Sequence, residues 1–407
     1  MNIDSILNKA LGGGELSAQE GAILFTAKEE DLQRLTAVAD ELRRRRAGDQ
    51  VGYVINRNVN FTNVCVKRCG FCAFSRGHSA DEGYFLPVEE ILRRIQEASE
   101  LGATEVCIQA GLPPRIDGSF YVELCRAIKK SFPEIHVHAF SPEEVLYGAT
   151  LSNHSVEDYL KALLDAGLGS MPGTSAEILD DSIREKISPG RITTSNWLRV
   201  LQTAHKLGIP TTSTIMYGHV ETGLDRARHL ALLRTVQQEI GRITEFVPLS
   251  FVAVEAPMAK HSLVTGIQKQ VTREDVLRMY AVARLMLNNW IPNIQASWVK
   301  QGASVAQDCL HAGANDFGGT LMNESISTSA GALHGQFLHP SRIRNIIRAA
   351  NRIPYQRSTT YDVLRRFETE PEALDPAWDD EQFGSYQELI ASSDYRFRDR
   401  RQLALRR

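Results

Sequence analysis

Between residues 51 and 330 the apolar positions follow two alternating patterns. Short runs rich in β-branched and aromatic residues are separated by longer stretches in which apolar residues recur every three or four positions. The short runs predict strands at 54–61, 105–110, 136–140, 169–171, 210–216, 245–251 and 293–297, with a short eighth near Ala314. The longer stretches predict helices with recognisable ends. One covers 87–101, opened by Pro87 and closed by Gly102. Ser141-Pro142-Glu143-Glu144 opens another, with a serine cap and a proline in the first turn. Two more end at Gly167 and Gly208, and Thr272 caps a helix that runs through Leu287.

Strands alternating with helices predict a parallel sheet. Eight such units predict a (β/α)8 barrel, an α/β fold of the TIM type. An open doubly wound sheet is the alternative for the same pattern. Residues 1–50 read as an N-terminal helical extension: Ser17 and Glu20 fit a capping box, and Leu32, Leu35, Val38 and Leu42 recur at helical spacing. Residues 331–407 read as a C-terminal helical extension ending in the basic tail YRFRDRRQLALRR. The expected organisation is therefore 1–50, 51–330 and 331–407.

Charge changes this picture little. A formal net charge of −3 gives no reason to expect nucleic acid or an anionic membrane as partner. The four arginines Arg43 to Arg46 read as a solvated helix end, with a nucleic-acid contact as the alternative. The first residues carry no basic segment followed by an apolar run, and no apolar stretch reaches the ~20 residues that span a bilayer. The expectation is a cytoplasmic protein.

The cysteines change the picture a great deal. The chain has six, too few at this length for a disulfide framework. Cys107, Cys125 and Cys309 stand in apolar or helical surroundings and read as small buried side chains. Cys65, Cys69 and Cys72 instead fall together in NFTNVCVKRCGFCAFSRG, where Lys67, Arg68 and Gly70 do not make a core strand. Three thiolates on one short loop can wrap a compact inorganic centre. A structural zinc ion is the alternative, but it ordinarily takes four protein ligands, often as two pairs, and no second pair stands nearby.

C-x3-C-x2-C with an aromatic residue, Phe71, before the last cysteine, just after the first barrel strand, resembles the signature of radical S-adenosylmethionine enzymes. The resemblance implies a [4Fe-4S] cluster on Cys65, Cys69 and Cys72 with one iron open to S-adenosyl-L-methionine. It implies reductive cleavage of that cofactor to methionine and a 5′-deoxyadenosyl radical. It further implies that Gly111, in the turn after the second strand, lets backbone approach the methionine amino group. Glu177 in PGTSAEIL and Arg191 in SPGRIT would bind the amino and carboxylate ends of the cofactor. An ordinary turn at Gly111 and a favourable helix-start charge at Glu177 are the plainer readings of those residues.

Barrel enzymes gather their working residues at the C-terminal ends of the strands. Those ends offer His138 and Ser141 after the third strand, and Tyr217, His219 and Glu221 after the fifth. Glu255 follows the sixth, Trp298 and Lys300 the seventh, and Asn315 and Asp316 the eighth. Of these, His138, His219, Glu221 and Asp316 are the catalytic candidates.

HVHAFSPEEV, MYGHVETG, WVKQG, GANDFGGTLMNESISTSAGALHG and RIPYQRSTTY resemble one small group of radical enzymes. That group comprises menaquinone-pathway enzymes and the two halves of the synthase that makes the deazaflavin FO. GGTLMNESIS looks most like the half that uses tyrosine. That likeness implies a transferase whose substrates are L-tyrosine and 5-amino-6-(D-ribitylamino)uracil. By the scheme it implies, the Cα–Cβ bond of tyrosine breaks to 2-iminoacetate and a 4-hydroxybenzyl radical, which adds to the uracil. The other synthase half would be its functional partner, and an electron donor would reduce the cluster. The rivals are aminofutalosine synthase or the related menaquinone cyclase, and, in another class, a zinc-binding structural or nucleic-acid module.

Overall fold

The computed structural model describes residues 2–368 and 380–399. Ten strands occur among them: β1 (Gln50–Val54), β2 (Asn56–Val59), β3 (Glu105–Ile108), β4 (His136–Ala139), β5 (Thr211–Tyr217), β6 (Ile243–Ser250), β7 (Asn293–Ile294), β8 (Asp316–Gly319), β9 (Ile353–Arg357) and β10 (Val363–Arg366). β1 and β2 form one stave interrupted at Ile55. β2 pairs in parallel with β3, and β3 with β4. β5, β6 and β7 follow in the same sense, and β8 pairs with β1. Single parallel bridges join the pieces: His138 to Ser170, Met171 to Thr211, Gln295 to Asp316 and Arg57 to Met322. The ring is closed and parallel, so the (β/α)8 reading holds and the open sheet does not. The fourth stave, expected at 169–171, is reduced to the bridges at Ser170 and Met171.

Helices lie outside the ring, where their apolar stripes meet the staves. Val88–Glu100 buries Ile91, Ile95 and Ala98, one face at helical spacing, and its first turn carries Glu89 and Glu90. The N-terminal helices do not stand apart. Leu35, Ala39 and Leu42 of Glu29–Ala47 share one apolar core with Tyr280, Ala283 and Leu287 of Arg273–Leu287. The arginine run at the end of Glu29–Ala47 is only partly a solvated end. Arg44 and Arg45 pair with Glu41, but Arg43 is fully buried, donating to Asp40 at 2.7 Å and to the Gly48 carbonyl. Among the described residues no helix is long and apolar enough to cross a membrane.

Past residue 330 the expectation of a purely helical extension is corrected. Helices Pro340–Ala349 and Tyr386–Ala391 are present, but β9 and β10 run between them as an antiparallel pair. The cause is an open edge. β3 begins opposite Asn56, so β1 has no neighbour on that side below it. β9 fills the gap in parallel, from Gln50–Ile353 to Tyr53–Gln356, and satisfies backbone groups that would otherwise face an unpaired edge. The last residues of the basic tail, 400–407, lie outside the described residues.

Candidate functional site

The loop after β2 carries the three cysteines, and backbone contacts fix its course. The Cys65 N–H donates to the Arg76 carbonyl at 3.0 Å, and the Arg76 N–H returns to Asn63 at 2.7 Å. Val66 donates to Leu112 in the loop after β3, Gly70 donates to Ile187, and Gly70 accepts from Met258. A Cβ on Gly70 would lie 3.0 Å from that of Met258, which is why a glycine follows Cys69. Gly111 meets a tighter constraint. Its N–H donates to Thr62 at 2.9 Å, and a Cβ there would lie 2.4 Å from the Val64 carbonyl oxygen. The glycine thus lets the loop after β3 press against the segment leading into Cys65, a packing duty that sequence did not reveal.

Cys65, Cys69 and Cys72 all line one cavity of about 380 Å³ that opens at the C-terminal ends of the staves. Burial pushes the Cys65 thiol up and the Cys69 thiol up to about 12, while Arg191 opposes both. The Lys67 N–H points at Cys65 Sγ at 3.4 Å and Arg191 Nη1 at Cys69 Sγ at 3.5 Å, donors suited to thiolate sulfur. Among the described residues no three His, Cys, Asp or Glu side chains converge closely enough to hold a single metal ion. Three thiols on one short loop that share a cavity fit the protein ligands of a polynuclear iron–sulfur centre.

Beside them stands Arg191, whose Nη1 donates to Glu177 at 3.1 Å, Nη2 to Ser175 at 2.5 Å and Nε to Glu143 at 3.3 Å. Its guanidinium also lies over the Phe71 ring. Burial works against its charge, but Glu177, Cys69 and Glu143 more than offset that and keep it cationic. Glu177 sits at φ +40°, and its Oε2 has no hydrogen-bond partner although buried. Glu177 thus pairs with Arg191 through one oxygen, and the other lies 3.6 Å from Arg184 Nη1 with room for a closer donor.

Two more carboxylates belong to this wall and were read from sequence only as a helix start. Glu143 accepts from the Ile192 N–H at 2.7 Å and lies 3.4 Å from Lys67 Nζ. Glu144 closes a capping box on Ser141 and reaches across to the Ala110 N–H at 3.0 Å. Burial raises it to about 7 against those donors. Opposite, Lys300 lines the cavity without a hydrogen bond or ion pair, and burial lowers its pKa against the pull of Glu324 and Cys72.

The remaining candidates divide. His138 faces the interior, bonded to Ser170 Oγ at 2.6 Å, and burial lowers it to about 4. His219 and Glu221 do not line the cavity. Glu221 accepts from the Gly218 and His219 N–H groups and from Arg226 Nε, and His219 Nε2 donates to the Met216 carbonyl, so both brace the turn after β5. Asp316 is also corrected. It begins β8 instead of following it, so it lies at the end of the stave away from the mouth, paired with Arg357 at 2.5 and 3.0 Å. Tyr217, Glu255, Trp298 and Asn315 likewise stay off the cavity wall, whereas Ser141 is on it.

Residues 59–233 match the radical SAM superfamily, and residues 241–370 match the CofH/MqnC C-terminal region. Three curated relatives carry the name 5-amino-6-(D-ribitylamino)uracil–L-tyrosine 4-hydroxyphenyl transferase. The Archaeoglobus fulgidus protein is 50% identical over 80% of this chain and 92% of its own. The Methanothermobacter thermautotrophicus protein is 48% identical over 88% and 96%, and the Methanocaldococcus jannaschii protein 46% identical over 86% and 97%. In fold the chain is similar to methylornithine synthase, with a TM-score of 0.68 at 18% identity over 86% of this chain and 97% of that one. It is likewise similar to the FeFe-hydrogenase maturase HydG from Carboxydothermus hydrogenoformans, at 0.67 and 15% over 88% and 80%. A barrel with three cysteines on its first loop and relatives of this name over most of its length place the chain in the radical SAM superfamily, in the family of the 5-amino-6-(D-ribitylamino)uracil–L-tyrosine 4-hydroxyphenyl transferases.

Proposed function

We propose that the chain joins the 4-hydroxybenzyl group of L-tyrosine to 5-amino-6-(D-ribitylamino)uracil, releasing 2-iminoacetate, 5′-deoxyadenosine and methionine, in the making of the deazaflavin FO. Identity of 46 to 50% with transferases of that name, over nearly their whole length, carries the reading. In this reading Cys65, Cys69 and Cys72 hold a [4Fe-4S] cluster, and Gly111, Glu177 and Arg191 border S-adenosylmethionine. When bound, cluster and cofactor supply the 5′-deoxyadenosyl radical that starts the chemistry.

The chain's own part is placement and enclosure. Glu177 Oε2, which accepts no hydrogen bond in the protein, suits an ammonium donor, and Arg191, once a carboxylate arrives, can share its fork between that group and Glu143. Lys300, unpaired at the wall, offers a site for the carboxylate of tyrosine. Val247, Leu249, Phe251 and Ile326 contribute apolar wall that keeps bulk water from a reactive carbon radical. A cytoplasmic reductant for the cluster and the enzyme that closes the deazaflavin ring are the functional partners.

The test is anaerobic. Reconstituted, reduced protein with S-adenosylmethionine, tyrosine and the diaminouracil should give 5′-deoxyadenosine and a benzylated uracil, and adding the ring-closing partner should give fluorescent FO. Deoxyadenosine formed only with a chorismate-derived enol ether would sink the reading in favour of the menaquinone branch.

A further inference from the structure

Beneath the cluster loop the barrel interior departs from the ordinary arrangement. Barrels of this kind usually fill their interior with layers of branched apolar side chains. Here the deep layer is polar: Glu105 from β3, His138 from β4, Glu245 from β6, Asp316 from β8 and Arg357 from β9. All five are at least nine-tenths buried. Arg357 holds Asp316 in a fork and reaches Glu245 Oε2 at 3.4 Å, and Tyr361 donates to the same oxygen. Asn56 Nδ2 donates to Glu105 at 2.8 Å. Three carboxylates thus face a single guanidinium, and His138 is held neutral by burial. Burying such groups costs free energy that the fold itself does not require, because an apolar layer would close the barrel better.

Two groups of this layer border the cavity itself. Thr359 is 6% exposed and lines the cavity beside Glu105, where its hydroxyl helps to hold that carboxyl below the usual carboxylate range. Glu245 also lines the cavity, and both of its side-chain partners engage Oε2, leaving Oε1 without a protein donor. The floor is therefore rich in acceptors, with Glu105 held below the usual carboxylate range and one oxygen of Glu245 open to the cavity.

We infer that this floor, built around Glu105, Glu245 and Thr359, is the subsite for the ribitylamino-uracil, a neutral ligand rich in N–H and O–H donors. The inference rests on the proposed function and adds where its second substrate lies. Depth supports it. Glu105 starts β3 and Gly111 touches the cluster loop six residues on, so the floor lies on the order of 15 Å below the cysteines. Hydrogen abstraction needs tyrosine next to the cofactor at the cluster end, and the acceptor of the benzyl group must lie beyond it. Charge supports it too. The carboxylate of tyrosine is repelled by Glu105 and suited by Lys300 higher on the wall. A polyhydroxylated chain and an amino-substituted ring instead give donors to each free acceptor.

Thr359→Val removes one hydroxyl from the floor without changing its charge or filling the cavity. Binding of 5-amino-6-(D-ribitylamino)uracil and of L-tyrosine to reconstituted full-length protein is measured by anaerobic calorimetry without reductant, beside KM for each in turnover. Loss of one hydrogen bond should weaken uracil binding about 3- to 10-fold in T359V, with a melting temperature within a few degrees of wild type and with recovery in T359S. Glu245→Gln should weaken it about 10-fold or more, while KM for tyrosine stays within about two-fold in both variants. Weakened tyrosine binding with unchanged uracil binding would overturn the assignment, as would no change in either ligand, which would make the floor a water-filled chamber. If E245Q does not fold, T359V alone decides. Wild-type protein that binds neither compound and forms no adduct would instead refute the proposed function.

Discussion

Replacing Gly111 by alanine puts a methyl carbon 2.4 Å from the Val64 carbonyl oxygen and 2.8 Å from its carbonyl carbon. Ordinary contact needs about 1 Å more, and neither neighbour is a flexible side chain. The strain must move backbone, and the backbone in question enters Cys65. The hydrogen bonds Gly111 to Thr62 at 2.9 Å and Val66 to Leu112 at 2.8 Å oppose that movement. Overpacking of this kind costs about 1–3 kcal/mol. The larger effect falls on the cluster, because a shift of 1 Å at one cysteine spoils the three-point fit. G111A should therefore melt a few degrees lower and, after anaerobic reconstitution, carry well under half the wild-type iron and sulfide. Gly77→Ala is the internal control: it lies in the same loop, but a Cβ there meets nothing within 4 Å. G77A should match wild type in melting temperature to within about 0.5 kcal/mol of stability and in iron content. Full cluster loading in G111A, or equal loss in both variants, would refute the argument from close approach.

Other consequences are shorter to state. Arg191→Met leaves Glu143 to the Ile192 N–H and Lys67 and Glu177 to Arg184 alone, so it should cost about 1–3 kcal/mol in thermal or urea unfolding. Glu177→Gln leaves Arg191 with Glu143 and Ser175; its melting point should change far less while equilibrium dialysis shows S-adenosylmethionine binding weakened about ten-fold or more. Cys69→Ser should fold like wild type by circular dichroism yet form no 5′-deoxyadenosine, and retained turnover would remove the cluster from Cys69. His229 accepts from the Leu179 N–H and donates to the Thr214 carbonyl, and burial lowers it from 6.5 to about 3. With the folded pKa below the unfolded one, the unfolded chain binds more protons in that window, so stability falls as pH drops below about 6.5. His229→Gln should flatten that acid loss in melts run between pH 7 and 5, and an unchanged slope would show that His229 does not cause it.

How far the site could be read from sequence follows from what each residue does locally. The staves were legible because strand and helix impose different apolar periods on the chain, and even the fourth stave, though reduced to bridges, left its mark at Gly169–Met171. A polar residue after a strand is less informative. His219 and Glu221 satisfy the backbone of their own turn, so their polarity serves the fold. Glu143 and Glu144 show the converse. The pattern Ser-Pro-Glu-Glu announces a helix start, and the helix start is real, but the same two carboxylates also fasten Arg191 and the loop after β3. Local grammar explained them completely and so hid their second duty.

β9 was not legible at all, for a reason that also bears on function. Pro354, Gln356 and Arg357 interrupt any apolar alternation, and proline argues against an interior strand. What makes this segment a strand is an unpaired edge of β1 three hundred residues earlier, a feature that exists only once the ring has closed. Arg357 arrives with that strand and is the one cation set against Glu105, Glu245 and Asp316. The segment that completes the hydrogen bonding of the barrel thus also allows carboxylates to be buried in its interior. Without β9 the acidic floor would be too costly to keep, and with it the second half of the cavity acquires a chemistry unlike that of the cluster end.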